Sequence, residues 1–103
     1  MAIMPNIANK ERIKAMKVKN ITSRNGNKIA NQFIVTDGEF EYFQSYNSVI
    51  AQRHISSGVV KLDVHYWDYS TTTGKYRNQF LGMDKKQTEK EIKAGRIALI
   101  NLN

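Results

Sequence analysis

The residues best suited to acid–base or metal chemistry are His54, His65, Asp63, Asp68 and the hydroxyl run from Ser70 to Thr73. Asp63 stands two before His65, so on a strand both share a face. That spacing is half of a metal site, or an acid–base pair around a histidine that titrates near neutral pH. A metal site needs three or four ligands, and the only other carboxylate nearby is Asp68. Asp68 lies between Trp67 and Tyr69, just before the hydroxyls. There it can accept bonds from them or from the free N–H groups that open a helix. A catalytic role with Ser70 needs a base and an oxyanion hole. No histidine or lysine is placed locally as that base, and the chain has no GxSxG motif. The expectation is a non-enzymatic protein with no metal and no cofactor. The chain has no cysteine, which excludes disulfides and thiolate zinc sites and suits a reducing compartment.

The chemistry of recognition is better represented. Single-stranded nucleic acid is held by flat rings with lysine and arginine around them. Phe40, Tyr42, Phe43, Tyr46, Tyr66, Trp67, Tyr69, Tyr76 and Phe80 are available, with Lys61, Lys75 and Arg77 near in sequence. A sheet covered by one helix needs about this many large residues for its own core, so each ring is first a core candidate. Lys75, Tyr76 and Arg77 form the best basic–aromatic set expected on the surface.

The net charge of +7 is concentrated at the amino end. Residues 1–30 include Lys14, Lys17, Lys19, Arg24 and Lys28, and carry Glu11 as their one acidic side chain. Such an end suits an acidic partner, either nucleic acid or an acidic surface of a host protein. A two-stranded ribbon over residues 17–28 can also enter a major groove. Asp37, Glu39 and Glu41 bracket a turn and read as solvated edge charges, a docking face for a basic partner. No glycine-rich phosphate loop and no RNA-binding consensus is present.

The elements that must position these residues follow from periodicity. Residues 1–16 read as a flexible basic extension and residues 17–103 as a single domain. Residues 17–24 and 28–36 alternate as strands around Asn25-Gly26, a dipeptide that favours a type I′ turn. Asp37-Gly38 is a second turn of that kind, followed by a strand over 39–45. Residues 46–54 read as a further strand beyond a bend at Asn47-Ser48. Residues 59–64 alternate again, with Val60, Leu62 and Val64 on one face. Tyr76 and Phe80 then sit four apart, which is helix spacing. That helix begins at Ser70 or Thr71 as its cap and stops at Gly82. Residues 87–94 form a shorter helix, with Thr88 and Glu91 at capping-box spacing. Residues 97–102 form a final apolar strand. The fold class is therefore α+β: an antiparallel sheet of five or six strands, one main helix packed on it, a short second helix and a last strand. No apolar run reaches the roughly 20 residues of a membrane helix, and the start of the chain has no signal-peptide core ahead of its charges. The chain is expected in the cytoplasm, without membrane contact, and with an edge strand through which two copies could pair.

The stretches YFQSYNSVIAQ (42–52) and YWDYSTTTGKYRNQFL (66–81) resemble a group of small uncharacterised proteins from bacteriophages and mobile elements of Gram-positive bacteria. The resemblance covers roughly residues 20–81. It implies a compact single domain of phage or mobile-element origin in a bacterial host cell, and it implies no reaction. The functional expectation is a binding protein acting on nucleic acid or on a nucleic-acid-handling host or defence enzyme, as a counter-defence inhibitor or regulator. The alternatives are an accessory DNA- or RNA-binding protein in phage replication or transcription, and a small hydrolase or nuclease.

Overall fold

A computed structural model describes residues 16–103. The expected extension over residues 1–16, and Lys14 with it, lies outside the described residues except for Met16. One sheet holds β1 (Lys17–Thr22), β2 (Lys28–Thr36), β3 (Phe40–Ser45), β4 (Ser48–His54), β5 (Val60–Asp63) and β6 (Ile97–Ile100), each beside its sequence neighbour. Two helices, α1 (Thr71–Leu81) and α2 (Lys85–Lys93), stand between β5 and β6. The α+β class read from periodicity is the class observed.

The first five strands pair antiparallel, but β6 lies parallel to β5. The final strand thus adds one parallel pair to the antiparallel sheet that was expected. Parallel neighbours require a crossover connection of a dozen residues or more, and here α1 and α2 together form it. The chain leaves β5 at one end of the sheet, crosses its face as helix, and re-enters from the opposite end.

The turns also differ from expectation. Of Asn25-Gly26, only Gly26 takes a positive φ, at 80°. Ser23 O accepts from Gly26 N at 2.9 Å and Asn27 O accepts from Ser23 N at 2.8 Å, so the connection is longer than a two-residue type I′ turn. The bend expected at Asn47-Ser48 is a tight hairpin through Tyr46 and Asn47, with Ser45 opposite Ser48. The second helix starts at Lys85, capped by Asp84, whose carboxylate accepts from Gln87 N at 2.8 Å. Thr88 is inside that helix and buried, so it is no capping-box residue. Ser70 caps α1, as expected, and Gly82 closes it in the left-handed region.

Register shows which face the helices cover. Ile34 lies opposite Phe43, Phe43 opposite Ala51, and Ala51 opposite Leu62, which makes one apolar row across four strands. Phe80 of α1 stacks on Phe43 with ring centroids 6.0 Å apart. Ile21, Ile50 and Ile97 complete the buried cluster, with Trp67, Tyr76, Leu81 and Ile92 packed at its margin. Burying each large side chain contributes about 2 kcal/mol. The core reading therefore holds for Phe43 and Phe80, and for Trp67 and Tyr76 in part. Val64 falls beyond the end of β5 and is exposed.

Candidate functional site

The backbone between β5 and α1 is held by two charged groups that the core swallows. Asp63, fully buried, accepts three backbone N–H groups: His65 and Tyr66 on Oδ2 at 2.9 Å each, and Leu102 on Oδ1 at 2.8 Å. Burial pushes its carboxyl up. The N–H of Leu102, the Asn103 side chain and the N–H groups of His65 and Tyr66 together outweigh burial and hold it below the ordinary aspartate value. Asn103 in turn accepts from Val49 N at 2.7 Å and donates to Val49 O at 2.9 Å. The strand-face pairing expected for Asp63 and His65 does not occur. The strand ends at Asp63, and the chain turns so that Asp63 faces inward and His65 outward.

Arg77 is the second group. Helix spacing places it on the inner side of α1, where it is 1% exposed, so it is not the surface cation expected beside Tyr76. Its Nη1 donates to Trp67 O at 2.7 Å and to Asp68 Oδ1 at 3.3 Å, and its Nη2 donates to Asn78 Oδ1 at 2.9 Å. The guanidinium also lies 5.2 Å from the Trp67 ring centre, within cation–π range. Of the three residues expected to act together, Lys75 alone is exposed. Tyr76 is half-buried, with Lys75 Nζ 5.4 Å from its ring centre.

Asp68 does not bind the hydroxyls that follow it. Lys85 Nζ reaches its Oδ2 at 2.8 Å, and Arg77 holds the other oxygen. Burial pushes the Asp68 carboxyl up. The hydrogen bond and charge of Lys85, then those of Arg77, hold it below the usual range. Ser70 Oγ accepts from Thr73 N at 3.1 Å as the helix cap. Both groups are engaged in structure.

Beside this turn lies an open cleft of about 650 Å³, lined by Asp68, Tyr69, Ser70, Lys75, Arg77 and Lys85 among others. Its cations outnumber its one carboxylate. Tyr69 sits on its rim, and Tyr66 meets Tyr69 edge to face at 5.6 Å.

The basic ribbon is a separate region. Lys17 and Lys19 lie on β1, Arg24 in the following turn and Lys28 at the start of β2, and all four are exposed. Among the described residues none of the four has a carboxylate within ion-pair distance. The acidic groups expected to form a docking face are engaged. Asp37 is buried in its turn and accepts the N–H groups of Glu39 and Phe40 at 3.0 and 2.8 Å. Glu41 pairs with Arg53 at 3.1 Å, and Glu39 lies 3.5 Å from His54.

Sequence reasoning missed Asp63 as an anchor and Lys85 as the partner of Asp68. The Asp63 contact to Leu102 spans 39 residues and leaves no local signal. The Lys85 contact depends on how α2 packs back on the turn.

A family model described as a family of unknown function, DUF8033, matches residues 16–95, and the chain belongs to that family. No curated protein and no solved structure matches it. No helix among the described residues is long and apolar enough to cross a membrane.

Proposed function

We propose that this DUF8033 member is a non-enzymatic binding protein whose target is nucleic acid. The observation that carries this reading is the uncompensated charge of the β1–β2 ribbon. Elsewhere Glu41, Asp68 and Glu91 are each matched to an arginine. Among the described residues Lys17, Lys19, Arg24 and Lys28 have no ion pair, and they line one two-stranded ribbon at the edge of the sheet. Phosphates are suitable partners for a row of exposed cations, with affinity driven by counterion release. The resemblance of residues 42–52 and 66–81 to phage and mobile-element proteins supports a setting in which such binding regulates, or shields nucleic acid from, host machinery.

The test is affinity for oligonucleotides against salt. Four phosphate contacts give a loss of roughly fiftyfold for a single strand to about 150-fold for a duplex between 50 and 200 mM salt. Reversing Lys17, Lys19, Arg24 and Lys28 together to glutamate abolishes that binding. A salt-independent affinity, or no binding at about 50 mM salt, contradicts the reading and points to a protein target.

A further inference from the structure

The rings that the core leaves outside gather at one end of the molecule. Tyr46, Tyr66 and Tyr69 are 51%, 38% and 49% exposed. Tyr66 and Tyr69 stand nearly perpendicular, at 81°, and Tyr69 lines the cleft that also holds Lys75 and Lys85. Tyr46 belongs to the β3–β4 hairpin, and its neighbour Ser45 shares a buried hydrogen bond with Thr73 in the first turn of α1 at 3.0 Å. The hairpin therefore lies against the start of α1, whose Thr71 and Gly74 line the cleft.

Two observations say that this end is built for contact. Burying a charge is costly unless it is paired or hydrogen-bonded. Asp63 and Arg77 are both buried, and both spend their bonds fixing backbone at His65, Tyr66 and Trp67. The aromatic turn is thereby preorganised, which spares the cost of ordering it on binding. Tyr46 holds φ at 53°, in the left-handed region that large side chains rarely occupy. Asparagine or glycine suits that backbone better than a large ring.

We propose that this tyrosine-bearing end is a site for single-stranded nucleic acid, with bases stacked on Tyr66, Tyr69 and Tyr46 and phosphates drawn to Lys75. Stacking on exposed rings is tolerant of sequence but needs unpaired bases, because a duplex hides its base faces. The inference rests on the nucleic-acid reading of the ribbon and adds which form is bound and where its bases lie.

The test uses the full chain and fluorescence anisotropy with a labelled oligothymidine of about 12 nucleotides, within the span of known single-strand sites, and with its duplex. Tyr66→Ala and Tyr69→Ala each weaken single-strand affinity at least about fivefold and leave duplex affinity unchanged. Tyr69→Phe keeps the ring and keeps the affinity. Tyr46→Asn lowers single-strand affinity while its thermal midpoint holds or rises. Unchanged single-strand affinity with Tyr66 and Tyr69 both replaced overturns the site, as do equal losses on single strand and duplex. Wild-type binding to duplex but not single strand overturns this inference alone. Wild-type binding to neither oligonucleotide overturns the nucleic-acid reading as well.

Discussion

The β1–β2 ribbon and the β5–α1 turn use charge in opposite ways. At the turn, Asp63 and Arg77 are buried and every strong contact they make is to their own chain. On the ribbon, Lys17, Lys19, Arg24 and Lys28 face solvent with no ion pair among the described residues. One region spends charge on geometry, and the other leaves it at the surface, where we propose that nucleic acid binds. Both regions are rich in charge in the sequence. What separates them is whether each residue lies on the inner or the outer side of its element, which decides whether its charge is spent inside the fold or left exposed.

The sharpest break in that comparison is Arg77→Ala. It opens a cavity, strips Trp67 O and Asn78 of their donor and leaves Asp68 with Lys85 alone. A loss of about 3 kcal/mol is expected, read as a fall of roughly 15 °C in thermal midpoint. Arg77→Lys does not restore it, because one ammonium cannot span three acceptors in different directions.

Asp63→Ala comes next, at about 2 kcal/mol, since it orphans the N–H groups of His65, Tyr66 and Leu102. The pH dependence has a definite sign. The folded carboxyl sits below its ordinary value, so its contribution is complete above the pKa of an unfolded aspartate, about 4. It is lost as pH falls from there through the folded value. Chemical denaturation of Asp63→Asn from pH 7 to 3 should show a flatter acid limb than the wild type.

Much of this was legible in the sequence. The strands, the Ser70 cap, the Gly82 stop and the α+β class all rest on local periodicity and capping, which act over a few residues. The basic ribbon was legible for the same reason, since its charges are contiguous. The orientation of β6 was not, because it depends on where two helices deposit the chain. Nor was the inward turn of Arg77. Its neighbours Lys75 and Tyr76 gave no sign that the guanidinium would fill the space beneath Trp67.

A smaller effect sharpens the picture of α1. Gly74 is buried under the Arg77 guanidinium, yet a Cβ there would meet it at 3.6 Å, an ordinary contact. Glycine inside a helix costs about 1 kcal/mol relative to alanine. Gly74→Ala should therefore raise stability by about 0.5–1 kcal/mol, visible as a higher denaturation midpoint. A loss instead would mean that the space above Gly74 is needed by Arg77 as it stands.

The least change in stability belongs to the ribbon, where exposed substitutions shift it by about 0.5 kcal/mol or less. The most direct test of the division of labour is one variant measured twice. Lys17, Lys19, Arg24 and Lys28 are reversed together to glutamate, and the thermal midpoint is compared with oligonucleotide affinity at about 50 mM salt. The account predicts a midpoint close to that of the wild type and binding lost. Binding retained, or a midpoint that collapses as it does for Arg77→Ala, would contradict it.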